Sequence, residues 1–135
     1  MTSMTDTTST LTTDRITAAV DTHLAAYGEP DPARRRRLVE ETWAASGELI
    51  DPPIGGAGHD GIDGVFAAVQ SHFPGHTFRR TTDVDTHHGV ARYGWQLVGA
   101  DGTVALAGMD VADLDAEGLL VRVTGFFGDL APVAG

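Results

Sequence analysis

At His76 the hydrophobic period of this chain changes from about 3.6 residues to two, which restricts it to folds with helices first and strands afterwards. Ile16, Ala19, Val20, His23, Leu24 and Tyr27 fall on one face of a first helix, with Thr13 or Asp14 as cap and Gly28 as stop. Asp31-Pro32 supplies a cap and an N1 proline for a second helix, whose apolar stripe is Leu38, Val39, Thr42 and Trp43 and which Gly47 ends. Arg36 and Arg37 stand one turn before Glu40 and Glu41, the spacing of helix ion pairs. Leu49 and Ile50 form a short connection to Asp51-Pro52-Pro53, and Gly55-Gly56-Ala57-Gly58 reads as a flexible lip. Ile62, Val65, Phe66, Val69 and Phe73 mark a third helix, closed by Pro74-Gly75.

Beyond that point Thr77 to Asp85, Val90 to Val98, Thr103 to Leu114 and Leu119 to Phe127 alternate as four strands. They are separated by His87-His88-Gly89, Gly99-Ala100-Asp101-Gly102 and Asp115-Ala116-Glu117-Gly118, the last two hairpin-like. The prediction is an α+β domain in which a curved, mainly antiparallel sheet wraps three N-terminal helices and leaves a cavity between the layers. At 135 residues the chain suits one domain, spanning 13–130, with Met1 to Thr12 a Ser/Thr-rich disordered tail and 131–135 a C-terminal tail.

Nineteen acidic against nine basic residues give a net charge of −10, which disfavours nucleic acid and anionic membranes as partners. A small molecule or a second copy of the chain fits better. With no cysteine there is no disulfide framework, thiolate metal site or cysteine nucleophile, and a reducing cytoplasm fits.

Two aspartates stand in apolar settings far apart in the chain: Asp51 in Ile50-Asp51-Pro52-Pro53 and Asp110 in Gly108-Met109-Asp110-Val111. A carboxylate is costly to keep ionised there, so the pair suggests a polar site set into a hydrophobic cavity. Asp110 shares a strand face with Leu106, Gly108, Ala112 and Leu114, and His23 lies on the apolar stripe of the first helix. Each has a plainer alternative: a turn residue for Asp51, an outward partner of Arg122 for Asp110, a satisfied core histidine for His23. Trp43, Phe66, Phe78, Tyr93, Trp95, Val123 and Phe127 are the expected lining for a flat hydrophobic ligand.

Other chemistries find no support. Pro74-Gly75 separates His72 from His76, adjacent His87-His88 point to opposite faces, and no two-histidine-plus-carboxylate set emerges, so no metal is expected. The glycine-rich loop lacks the lysine and Ser/Thr of a phosphate loop, no dinucleotide signature follows a strand, and no serine sits in a nucleophile elbow. No cofactor is expected.

The order Pro74-Gly75-His76-Thr77-Phe78, His87-His88-Gly89, Arg92-Tyr93-Gly94-Trp95 and Gly108-Met109-Asp110-Val111, behind helix-helix-Asp-Pro-loop-helix, resembles the NTF2-like superfamily. Within it the match is to the SnoaL-like and ketosteroid-isomerase-like branch, over roughly residues 14–130. The resemblance implies a conical α+β barrel with a deep apolar pocket, usually a homodimer through the outer sheet face, where Arg122, Thr124 and Phe126 point outward here. It also implies Asp51 as general base and Asp110 as a protonated acid donating to an oxyanion, an arrangement established for ketosteroid isomerase. The first-helix tyrosine of those enzymes falls on His23 in an ungapped match. Relatives that hydrolyse epoxides carry an arginine and an aspartate where this chain has Gly108 and Gly125. Three classes remain open: an isomerase moving a proton next to a carbonyl, another pocket chemistry such as polyketide cyclisation, and a non-catalytic binding or dimerisation module.

Overall fold

The computed structural model describes residues 11–134. The expected N-terminal tail therefore lies mostly outside the described residues; of it, Leu11 packs partly buried against the core and Thr12 caps the first helix. Residues 129–134 are exposed and carry no regular structure.

The first two helices form much as their residues dictate. Helix α1 (Thr13–Tyr27) is capped by Thr12, whose hydroxyl accepts the Arg15 N–H at 3.1 Å, one residue earlier than the expected caps. Helix α2 (Pro32–Thr42) starts with the Asp31 carboxylate accepting the Arg34 N–H at 3.0 Å and carries an Arg36–Glu40 pair at 3.0 Å.

Trp43 does not continue α2. It begins strand β1 (Trp43–Ile50), with an extended backbone at φ −110° and ψ 140°. The helical stripe runs into the strand without a break in hydrophobicity, because Thr42 and Trp43 suit a strand as well as a helix. Gly47 accordingly ends no helix; it lies in the irregular stretch where the β1 register shifts between Trp43 and Glu48.

The glycine-rich segment is also not a lip. Gly55–Ala57 is strand β2, paired antiparallel with β1. A Cβ on Gly56 would overlap the Gly61 carbonyl, so glycine there lets β2 touch the backbone of helix α3 (Gly58–His72).

The expected strand from Thr77 to Asp85 is two, β3 (Thr77–Arg80) and β4 (Asp85–His87), both paired with β5 (Val90–Val98). Between them the Thr82 hydroxyl accepts the Gly94 N–H at 2.9 Å and takes a ladder position that a continuous strand would fill. Strands β6 (Val104–Leu114) and β7 (Leu120–Phe127) complete a sheet of order β2-β1-β7-β6-β5-β3, in which only the β1–β7 pair is parallel. A register shift opposite Asp113 and Leu114 turns Leu120 into the core and leaves Val121 only half-buried.

The sheet is curved and open, and the three helices pack on one face of it, with Val20, Val39, Trp43, Ile62, Phe66 and Leu120 fully buried between. The α+β architecture expected from the change of period is thus the one observed. Among the described residues no helix is long and apolar enough to cross a membrane.

Candidate active site

Four adjacent strands bring the polar groups into one row. Ile50, at the end of β1, pairs with Thr124 of β7, which brings Asp51 level with Gly125; Gly125 pairs with Asp110 of β6, and Asp110 with Tyr93 of β5. The glycine in this row makes the meeting possible. A Cβ on Gly125 would overlap Asp51 Oδ1 and stand 3.0 Å from Asp110 Oδ1. Two carboxyl groups occupy the space that a side chain on β7 would take.

The two are held differently. The Asp51 N–H donates to the Ile54 carbonyl at 2.9 Å and the Ile54 N–H returns to the Asp51 carbonyl at 3.2 Å, so Asp51-Pro52-Pro53-Ile54 is a turn. The turn uses the Asp51 backbone and leaves its side chain to the cavity; among the described residues no donor reaches that carboxylate. Asp110 is 5% exposed and accepts two hydrogen bonds, from Tyr93 Oη to Oδ2 and from Trp95 Nε1 to Oδ1, each 2.9 Å. Arg122, its alternative partner, pairs instead with Glu48 on the outer face at 3.0 Å.

These surroundings set the acidities. Burial raises Asp51 to about 6. Asp110 is pushed up to about 7: burial raises it most, the Tyr93 hydroxyl pulls it back, the charge of Asp51 raises it again, and Trp95 pulls it back.

A cavity of about 210 Å³ opens onto the pair. Of the predicted lining, Phe78, Trp95 and Phe127 reach it together with both aspartates. Tyr93 stands behind Asp110 as a hydrogen-bond donor, while Trp43, Phe66 and Val123 belong to the core and do not line the cavity. Leu24, Tyr27, Ile54, Val69, Phe73 and Leu97 complete much of the wall.

His23 is also outside the cavity. It is 1% exposed, and the Trp43 indole N–H, which can only donate, lies 3.3 Å from its Nδ1. The ring proton therefore sits on Nε2, which is buried without a hydrogen-bond partner among the rings of Tyr27, Trp43 and Phe66. Burial lowers the His23 pKa to about 3, so the ring is neutral.

One turn further along α1, Tyr27 does reach the cavity. Its phenol pKa stands well above the ordinary value, raised by burial and then by the charges of Asp51 and Asp110, which keeps the proton on the oxygen as a donor. It lay on the same predicted stripe as His23, and its aromatic ring with a polar tip was the available signal.

No family model matches the sequence, and no curated protein is similar to it. Solved structures are. A proposed isomerase of the SnoaL-like family from Agrobacterium tumefaciens is 34% identical with a TM-score of 0.81, over 86% of this chain and 99% of that one. A proposed SnoaL-like polyketide cyclase from a Jannaschia species is similar at 17% identity and a TM-score of 0.62, over 81% and 84% of the two chains. A ketosteroid-isomerase-like protein from Catenulispora acidiphila, solved in complex with trimethylamine, is similar at 14% identity and a TM-score of 0.64, over 80% and 83%.

Proposed function

This chain belongs to the SnoaL-like family, and on that footing we propose that it is a cofactor-independent isomerase that moves a proton next to the carbonyl of a compact hydrophobic ketone. The observation that supports this most is the pair of carboxyl groups meeting over Gly125 inside one apolar cavity. Enolisation needs a base for the carbon-bound proton and a donor for the oxygen that becomes negative.

Asp51 suits the base. It has the lower pKa of the two and no hydrogen bond competing for its lone pairs. Asp110 suits the donor, since an acid raised to about 7 keeps its proton below that pH. Tyr27 is the natural second donor, in the place that the family resemblance gave to His23. After abstraction, Asp51 returns the proton to a different carbon, so that a β,γ double bond moves into conjugation and no other reactant is consumed.

The volume limits the substrate. An apolar cavity of roughly 150 Å³ accepts benzene, and pockets for drug-sized ligands run to roughly 300–1,000 Å³. At about 210 Å³ this one suits a ligand of about one ring, and a fused four-ring skeleton or a long polyketide would project from it. Epoxide hydrolysis with a third carboxylate at Gly125 has no room.

A homodimer through the outer sheet face is part of the proposal, supported by Phe126, which stands 53% exposed on a face that no helix covers.

The test is turnover of β,γ-unsaturated cyclic ketones of increasing ring number, followed by the absorbance of the conjugated product. Wild type should convert the smallest ketones fastest. Asp51→Asn should lose activity by at least about a thousandfold while still binding them, because the amide keeps the shape and loses the base. Equal conversion by wild type and variant would remove Asp51 as the base, and conversion by both at no more than the uncatalysed rate would leave a binding module in place of an enzyme.

A further inference from the structure

The cavity holds two carboxyl groups and no cation. The chain contains no lysine, and among the described residues no arginine lines the cavity; Arg35, Arg80, Arg92 and Arg122 pair elsewhere with Asp63, Asp21, Asp85 and Glu48. When both acids ionise, two negative charges share an apolar space with only the Tyr93 and Trp95 hydrogen bonds to Asp110 to compensate them. A neutral ligand leaves that charge in place. A positively charged one offsets it, a monocation leaving a single net negative charge.

The wall favours one kind of cation. Tyr27, Phe78, Trp95 and Phe127 form a continuous run of rings, with centroids 4.4, 5.2 and 5.8 Å apart along it. Aromatic faces attract alkylated ammonium groups, which shed their hydration more readily than a metal ion or a primary ammonium. At about 210 Å³ the cavity has room only for a compact ion, and the net charge of −10 concentrates cations around the protein.

We infer that this cavity binds small organic monocations, tertiary or quaternary amines of at most about one ring in size, with Asp51 and Asp110 as counter-charge and the Tyr27–Phe78–Trp95 wall around the alkyl groups. The inference shares the site proposed above but goes beyond its chemistry, since it requires the carboxyl pair and the rings and no proton transfer. A chain that binds such a cation without turning over a ketone upholds it, and a ketone isomerase that ignores cations removes it alone.

Binding should be linked to pH through the groups that face the cavity. These are Asp51 at the end of β1, Asp110 on β6, Tyr27 on α1 and, behind Asp110, Tyr93 on β5; the two phenols stay protonated, so only the carboxyl groups change charge near neutrality.

The experiment is calorimetric titration of the full chain with choline and with 3,3-dimethyl-1-butanol, which carries carbon in place of the quaternary nitrogen. At about pH 8 choline should bind at least about tenfold more tightly than the alcohol, and at about pH 5, with both carboxyl groups protonated, the preference should shrink to about twofold or less. The Asp51→Asn, Asp110→Asn double variant should bind both probes alike at either pH. Equal affinity of wild type for the two probes at the higher pH, or no choline binding there, overturns the inference. So does a preference that survives unchanged in the double variant, which would assign it to the acidic surface instead.

Discussion

His23 is neutral in the fold with a pKa of about 3, whereas in the unfolded chain it titrates near ~6.5. A base with a depressed folded pKa contributes stability above its unfolded value and loses it as pH falls towards the folded one. Here the loss runs from about pH 6.5 downward and reaches about 2 kcal/mol by pH ~5. In His23→Gln the amide oxygen can still accept from Trp43, but no proton is taken up. Urea unfolding should therefore show wild type losing stability relative to this variant between those pH values; parallel curves would mean that His23 is not held neutral by burial. The same helix shows what a sequence leaves open. His23 and Tyr27 lie on one apolar stripe, and periodicity placed both inward correctly, but it carries no information on where along the stripe the core ends and the cavity begins. That boundary is set by Phe66 and Phe78, ring neighbours of Tyr27 contributed by α3 and β3.

Strand β7 makes the site by what it omits. Gly125→Ala puts a methyl group onto Asp51 Oδ1, so the Asp51 side chain must leave the row. The variant should keep its circular dichroism spectrum and lose at least about tenfold in ketone turnover, the 1.4 kcal/mol scale of one misplaced catalytic group. Full activity would show that the Asp51–Asp110 approach over Gly125 is not the working geometry. The strands around the site were legible to different degrees. Val90 to Val98 alternates cleanly and matches β5, and the same period groups Asp110 of β6 with Leu106, Ala112 and Leu114, although the sequence alone left an outward pairing with Arg122 open. Strand β1 was hidden. Its alternation is broken by the irregular stretch between Trp43 and Glu48, and its β2 partner consists of small residues whose pairing only the contact with α3 explains. The convergence of Asp51 on Asp110 depends on the parallel β1–β7 pair, a long-range contact that no local pattern encodes.

At the scale of the whole molecule the sheet has a helix-covered face and an open one. Met109, Phe126 and Leu130 line a groove on the open side beside Arg92 and Asp85, and a two-fold axis through that face would bury Phe126 against a second copy. Sedimentation at tens of micromolar, on the order of concentrations at which modest interfaces associate, should give a dimer for wild type and a monomer for Phe126→Arg. A wild-type monomer would remove the dimer without touching the cavity on the other side. The cavity itself is most directly probed by carbon-13 NMR titration of the aspartate carboxyl groups, assigned through Asp51→Asn and Asp110→Asn. Asp51 should titrate at about 6 and Asp110 at about 7, so that near pH ~6.5 one is largely ionised and the other largely protonated. Removing Asp51 should lower the Asp110 value, because it removes a neighbouring negative charge. If both carboxyl groups instead titrate near ~4, as free aspartates do, they share no apolar cavity, and the base and acid roles assigned to them are contradicted.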